Sequence, residues 1–305
     1  MYQKKQKFFQ LEVGGTMKKV QEEMNVLDHI ISIKDTLPNK QKRLCDYILE
    51  NHQDIGLFTV KELAEYAGVG TTTVLRLVKI LGYDSFFDLK KEFHYIQKEY
   101  SDKWENVQKS FGNNDENMDY KTLSDVWQEG VHLLDKSLNP QLVESFKKAM
   151  DLIVHAERIN LLGLRPYKAV AIYLELLIEE FHSKTRQLSY DSESMLDRIL
   201  QFEKNEVILL FGFSPYTQRT IDAANVAYQK GIPIILITDH LSCPIANVSS
   251  VILKVEPGEN HFSILPTIAL VEAIVVELGK RYSKTSIQKI RNLVETLKDN
   301  KIIVD

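Results

Sequence analysis

Residues 67–83 read AGVGTTTVLRLVKILGY. Val74, Leu77, Val78 and Leu81 recur at the i, i+3, i+4, i+7 spacing of one helix face. Just upstream, Val60, Leu63, Ala64 and Ala67 repeat the pattern, with Thr59 placed to cap the helix they form. Only Gly68, Val69 and Gly70 separate the two sets. Two short helices joined by a three-residue turn containing glycine are the helix-turn-helix unit. Ala64 is small where the second helix crosses. Gly68 can take the left-handed conformation that ends the first helix, and Val74 fills the angle between them.

Turning that apolar face inward leaves Thr72, Thr73, Arg76 and Lys79 outward, with Thr71 in the first turn. The second helix of such a unit lies in the DNA major groove with its N-terminal residues at base edges. Threonine hydroxyls and methyls suit base edges and phosphates, and an arginine can read guanine or grip the backbone. The predicted DNA contacts are Thr59, Lys61, Thr71, Thr72, Thr73, Arg76 and Lys79. Between residues 37 and 100, nine Lys/Arg stand against nine Asp/Glu. This balance predicts modest non-specific affinity and binding as a dimer to an inverted repeat. The bland alternative is a helical hairpin with an ordinary solvated face.

The whole chain has 305 residues and a net charge of -4, which argues against indiscriminate polyanion binding and for two domains. With 44% hydrophobic and 26% charged residues it can bury an ordinary globular core. Cys45 and Cys243 lie far apart and read as reduced, buried thiols of a cytosolic protein. His240 and Cys243 are neighbours, but no second pair completes a metal site, and no cofactor is expected. No run of about 18 apolar residues spans a membrane, so a cytoplasmic protein is expected. The string EVGGTM, residues 12–17, resembles an in-frame ribosome-binding sequence. Residues 1–16 are accordingly expected to be non-native or disordered, with translation starting at Met17 or Met24.

Along the chain, Val20, Met24, Leu27 and Ile31 predict a short amphipathic helix, and Pro38 opens the next one in its first turn. A long helix is expected from about Ser85 to Phe111, then a linker over 111–118, where GNNDENMD breaks all periodicity. Residues 1–110 form the predicted DNA-binding domain and 119–305 the second domain. There the pattern changes. RINLLGL (158–164), EVILLFGF (206–213), IPIILITD (232–239) and SVILKVEP (250–257) are short apolar runs, the first three separated by amphipathic helices, with RQLSY (186–190) a weak further strand. Such alternation predicts a parallel sheet covered on both sides, an αβα sandwich. TIALVEAIVVELGKRY (267–282) is apolar nearly all round and is expected to be buried, in part against a second subunit. The predicted fold class is an all-α domain followed by an α/β domain.

The stretch LPNKQKRLCDYILENHQDIGLFTVKELAEYAGVGTTTVLRLVKILGYDSFFDLK, residues 37–90, resembles the N-terminal domain of the RpiR/MurR family of bacterial transcriptional regulators. Gly70 departs from that family, which usually has a capping serine there. The change weakens the cap by only a few tenths of a kcal/mol. The resemblance implies a C-terminal SIS (sugar isomerase) domain that binds phosphosugars at the carboxyl ends of its strands, as the rule for open α/β sheets requires. Residues 120–282 resemble its order of elements.

Two loops fall at those ends, LLGLRPYK (161–168) and LFGFSPYTQRT (210–220), and the predicted effector residues are Gly163, Arg165, Tyr167, Lys168, Gly212, Ser214, Tyr216 and Thr217. Ser214 reads as a helix cap with Pro215 in the first turn, so the amides of Tyr216 and Thr217, with the Ser214 and Thr217 hydroxyls, could hold an anion. Both loops depart from the family. Arg165, Pro166, Tyr167 and Lys168 replace a glycine-rich serine loop. Gly212-Phe213-Ser214-Pro215-Tyr216-Thr217 replaces Ser-x-Ser-Gly-x-Thr. Proline removes an amide donor, and Arg165 could restore the attraction by binding phosphate or carboxylate in a bidentate way. Asp239, Ser242 and His261 are weaker candidates. Glu179, Glu180, Asp191, Glu193 and His261 are available for acid/base work but form no recognisable constellation. The reading is a dimeric or tetrameric, non-enzymatic regulator of carbohydrate metabolism controlled by a sugar phosphate or related sugar or polyol. The alternatives are a sugar-phosphate isomerase with an accessory helical domain, and a SIS fold that serves only oligomerisation.

Overall fold

The structure is a computed structural model and describes residues 7–13, 16–22, 26–93, 107–111 and 118–303. The chain divides into two compact units, the first drawn chiefly from residues 1–118 and the second chiefly from residue 119 onward.

The first unit opens with an antiparallel pair, β1 (Lys7–Val13) and β2 (Thr16–Glu22), in which Phe9 pairs with Val20. Val20 is therefore in a strand, not in the expected helix, and Met24 lies outside the described residues. Its backbone is committed to a ladder that a period read from four residues could not foresee. The first helix, α1, is Val26–Ile33. Then come α2 (Asn39–Glu50), α3 (His52–Ile55), α4 (Val60–Tyr66), α5 (Thr71–Ile80) and α6 (86–93). Pro38 caps α2 from outside with ψ 151° rather than entering its first turn, and its carbonyl accepts from the amides of Gln41 and Lys42. Leu27, Ile30, Leu44, Ile48, Leu63, Val74, Leu77 and Leu89 are among the buried residues of this unit's core. Residues 107–111 are helical, as expected. The stretch 94–106 of the long helix and most of the proposed linker, 112–117, lie outside the described residues.

The second unit contains α7 (Met118–Ser137), α8 (Pro140–His155), β3 (Arg158–Gly163), α9 (Tyr167–Glu179) and β4 (Thr185–Gln187). It continues with α10 (Met195–Ile199), β5 (Glu206–Gly212), α11 (Gln218–Gln229), β6 (Ile234–Thr238), β7 (Val251–Lys254), α12 (Leu265–Arg281) and α13 (Ser283–Asp299). The five strands are parallel in the order β4-β3-β5-β6-β7. Every residue of β5 and β6 is buried, which is why both read in sequence as unbroken apolar runs. α8, α9 and α12 share one core with the sheet through Ile153, Leu174 and Ile274 against Leu161, Leu209 and Ile237. α11 contacts β5 and β6 and buries Ala223, Ala224 and Ala227, completing an αβα sandwich. α12 is buried on one face only: Leu270, Val271, Ile274 and Leu278 point in, while Val276 is exposed. Its all-round apolarity overstated its burial in this chain.

Lys184, just before β4, is buried and donates to the carbonyls of Ile153 (2.6 Å) and Ala156 (3.1 Å) and to the Tyr282 hydroxyl (3.0 Å). It thereby satisfies orphan carbonyls at the C-terminus of α8, the end that favours a cation. Burial holds its pKa down at about 8.

Candidate functional site

The turn between α4 and α5 is built by hydrogen bonds the sequence can be read to require. Gly68 has φ 63°, its amide donates to the Glu65 carbonyl (3.1 Å), and the Val69 amide donates to the Ala64 carbonyl (2.9 Å). This is the paired closure that a left-handed glycine permits. Gly82 repeats it after α5 with φ 89°, Gly82 donating to Lys79 and Tyr83 to Val78, each at 3.0 Å. At the start of α4, Thr59 Oγ1 accepts from the Glu62 amide (3.2 Å) and Glu62 Oε2 accepts from the Thr59 amide (2.7 Å). The bond from the Thr59 amide, with a smaller contribution from the Thr59 side chain, holds the Glu62 carboxyl below the usual range. Gly70 caps α5 with no side-chain bond.

Of the predicted DNA contacts, Thr59, Lys61, Thr71, Thr72, Arg76 and Lys79 are exposed and Thr73 is half-buried. Thr59 is first of all the cap of α4. Lys79 Nζ donates to the Asp84 carbonyl (2.7 Å), which ties it to the C-terminal end of α5. Thr71, Thr72 and Arg76 remain on one outward side of the helix. Three further residues lie by the turn and α5; Leu75 falls outward by the helical spacing already described, whereas Arg43 and Gln41 carried no local signal. Arg43 of α2 lays its guanidinium against the turn, 3.6 Å from where a Cβ on Gly68 would stand. Gln41 of α2 and Leu75 of α5 line an open groove of ≈ 590 Å³ together with Thr72, Arg76 and Phe86. The placement of α2 beside α5 is a tertiary fact, so no local pattern could have announced Arg43 or Gln41.

In the second unit, β3 and β5 are neighbours, and α9 and α11 leave them toward opposite faces of the sheet. That is the topological switch point, where open α/β sheets form a crevice beyond the strand ends. Both predicted loops lie there. The rings of Tyr167 and Phe213 stack across it, centroids 4.0 Å apart and 8° from parallel. Burial, with the Asp239 carboxylate, pushes the Tyr167 hydroxyl far up. Gly163 donates its amide to Ser189 Oγ (2.9 Å) and has the Tyr167 carbonyl oxygen 2.2 Å from where a Cβ would stand. Arg165 is exposed and has φ 55°, a backbone region that costs an L-residue about 1 kcal/mol or more. Lys168 Nζ lies 5.9 Å from the centre of the Tyr190 ring.

The second loop differs from the expectation. Helix α11 starts at Gln218 with Thr217, not Ser214, as its N-cap, so Pro215 and Tyr216 precede the helix. The Thr217 and Thr220 hydroxyls pair at 3.0 Å. The cause is Asp239 at the end of β6. Its fully buried carboxylate accepts from the Ser214 amide (3.1 and 3.3 Å) and from the Tyr216 hydroxyl (3.4 Å). The Ser214 amide and the Tyr216 hydroxyl are thus committed to a carboxylate, and the expected donors, the amides of Tyr216 and Thr217, are not a helix N-terminus.

Beside β3, Gln187, Ser189, Tyr190 and Glu175 form a network the sequence did not announce. Glu175 Oε2 accepts from Gln187 Nε2 (3.4 Å) and from the Tyr190 hydroxyl (3.1 Å), and Gln187 Oε1 accepts from the Ser189 amide (3.1 Å). Burial raises the Glu175 pKa against those two hydrogen bonds. Among the acid/base candidates, Asp191 accepts from the Ser194 hydroxyl and from the amides of Glu193 and Ser194. These bonds hold its carboxyl low, with the hydroxyl contributing most. Glu179 accepts from Thr185 Oγ1 (3.1 Å).

Comparison with known proteins bears on both units. A family model described as a helix-turn-helix domain of the rpiR family matches residues 24–102, and one described as a SIS domain matches residues 152–277. An HTH-type transcriptional regulator of Clostridium perfringens is 23% identical over 279 residues, covering 87% of this chain and 96% of that protein. The HTH-type transcriptional regulator HexR of Pseudomonas aeruginosa is 22% identical over 260 residues, covering 83% and 87%. Among solved structures, the sugar isomerase domain of an RpiR transcription factor from Sphaerobacter thermophilus aligns with a TM-score of 0.53 at 21% identity, over 56% of this chain and 97% of that one. The NanR protein of Vibrio vulnificus, complexed with ManNAc-6P, aligns with a TM-score of 0.53 at 20% identity, over 92% and 100%. At these identities the structural likeness establishes the fold.

Proposed function

Because the chain belongs to the rpiR family of helix-turn-helix regulators, we propose that α5 reads operator DNA and that a phosphorylated sugar or closely related carbohydrate, bound at the β3/β5 crevice, shifts the population competent to do so. The observation that carries the reading is the outward side of α5: Thr71, Thr72 and Arg76 are exposed at the N-terminal half of the second helix of a well-formed helix-turn-helix. The crevice at the switch point supports the effector, and so does the sugar phosphate bound by the Vibrio vulnificus relative. Arg165 and Lys168 supply its positive side. Thr59, Lys61, Thr73 and Lys79 complete the DNA-facing set, and Gly163, Tyr167, Gly212, Ser214, Tyr216 and Thr217 the crevice.

The chain works as a homodimer or tetramer in the cytoplasm and performs no turnover of its own. In support of assembly, α7 leaves Tyr120, Leu123, Trp127 and Val131 exposed at the i, i+3, i+7, i+11 positions of one helix face. In support of a cytoplasmic site, a chain that reads operator DNA works where that DNA lies. The test is a gel shift on a duplex selected by the purified chain from a random library, with a panel of hexose and hexosamine phosphates as effectors. Arg76→Ala should weaken operator binding about tenfold or more while the melting temperature stays put. Intact binding by that variant retires Arg76 as a contact, and isomerisation of any of the phosphates by the pure protein overturns the non-enzymatic reading.

A further inference from the structure

Leu75 is, with Ile80 at the last position of the helix, an exposed large apolar residue of α5. Its neighbours Val74, Leu77 and Val78 are buried, whereas Leu75 is 48% exposed and stands outside the helical unit's core. It is not displaced to the helix end or to a ragged loop. It lies one turn after Thr71 and one turn before Lys79, beside Thr72 and Arg76, in the middle of the side proposed to face DNA. It also forms a wall of the open groove of ≈ 590 Å³ whose other lining residues include Thr72, Arg76 and, from α2, Gln41. A solvated helix face gains nothing from leucine there, since a lysine or glutamate propagates the helix about as well.

The major groove offers one apolar target. Thymine alone among the four bases presents a methyl group there, and apolar side chains are what contact it. Cytosine at the same position presents an N4 amino donor, which leucine would desolvate without an acceptor in return. We propose that Leu75 is a specificity residue that packs its isobutyl group on the 5-methyl of a thymine in each half-site. On this account α5 reads an apolar point between the hydroxyls of Thr71 and Thr72 and the guanidinium of Arg76. The Gln41 amide on the α2 side of the groove suits the adenine N6 and N7 edge of an A·T pair nearby. The proposal rests on the reading of α5 as the DNA-facing helix and adds to it the base that is read.

The experiment uses the full-length chain and a duplex it selects from a random library. Each thymine of the enriched site is replaced in turn by uracil, which keeps every hydrogen-bonding group and removes only the methyl. One replacement per half-site should weaken the wild-type protein about fourfold, the effect of exposing one methyl-sized group. Leu75→Ala should bind the thymine and uracil duplexes equally. The ratio of the two affinities is internal to each protein, so a change in folded fraction does not move it. A wild-type protein indifferent to every uracil replacement overturns the proposal. So does a Leu75→Ala variant that keeps the full thymine preference, including one whose association state has changed, because Leu75 then faces protein. If no sequence is enriched at all, the DNA-reading role of α5 fails, and the role of Leu75 fails with it.

Discussion

Gly163→Ala tests whether the first helix of the crevice is seated as closely on its strand as the structure has it. A Cβ on Gly163 would lie 2.2 Å from the Tyr167 carbonyl oxygen, 2.7 Å from its carbonyl carbon and 3.1 Å from Ala171 Cβ. Side-chain carbons essentially never approach within 3.0 Å of such an atom, so the start of α9 would have to retreat by about 0.8 Å. The partner is backbone, so no rotamer change can relieve the contact. Nor can α9 drift freely, because Val170, Ala171, Leu174 and Ile178 anchor it in the core. The strand is held from the other side by the bond from the Gly163 amide to Ser189.

Overpacking costs about 1–3 kcal/mol, and a backbone clash belongs in the upper half of that range, about 2–3 kcal/mol. For a domain of this size each kcal/mol lowers the melting temperature by about 2–4 °C, so calorimetry should record a fall of about 4–12 °C. Tyr167 and Lys168 ride on the displaced turn. Effector affinity should therefore fall, while operator affinity without effector, measured well below the melt, stays near wild type. A variant that melts within a degree of wild type and answers the effector normally would show that the strand and helix are not in the contact described.

Arg165→Gly should raise the melting temperature slightly, because glycine relieves a left-handed backbone worth about 1 kcal/mol, yet blunt the effector response in the same gel shift; a lowered melting temperature would show that the arginine side chain packs instead of waiting for a ligand. Lys184→Met should destabilise the second unit by about 2–3 kcal/mol at neutral pH by uncapping α8. The native Lys184 pKa of about 8 lies below the free-lysine value of 10.5, so between those values the unfolded chain binds more protons. Wild-type stability should therefore gain on the variant as pH rises from about 8 to about 10, and parallel pH profiles in chemical denaturation would refute the buried ammonium. Trp127→Glu should reduce the apparent mass in sedimentation by breaking assembly through α7, and an unchanged mass would move the interface elsewhere.

The parts that were legible in the sequence are those fixed by neighbours within one turn or one strand. Gly68 announces its helix end because glycine takes φ of 63° without strain, and the structure puts it there; Gly82, at φ 89°, repeats the same closure after α5. β5 and β6 announce themselves because both faces are covered. What stayed hidden depends on strands brought side by side. Asp239 reaches Ser214 across 25 residues because β6 pairs with β5, and Gln187 reaches Glu175 because β4 ends beside α9. The loop 212–217 shows the difference this makes. Read as letters, its departures from the family are two substitutions, one of which loses an amide. In the fold, Asp239 takes a further donor, the Ser214 amide, so the loop lost more of its capacity for an anion than its letters admit. The segment 212–217 has no lysine or arginine, whereas the facing loop carries Arg165 and Lys168. An anionic effector in this crevice would therefore be held chiefly from the β3 side, with the β5 side left to meet hydroxyls. This is why Arg165→Gly should cost more effector affinity than Ser214→Ala, and the reverse order would return the anion to the β5 loop.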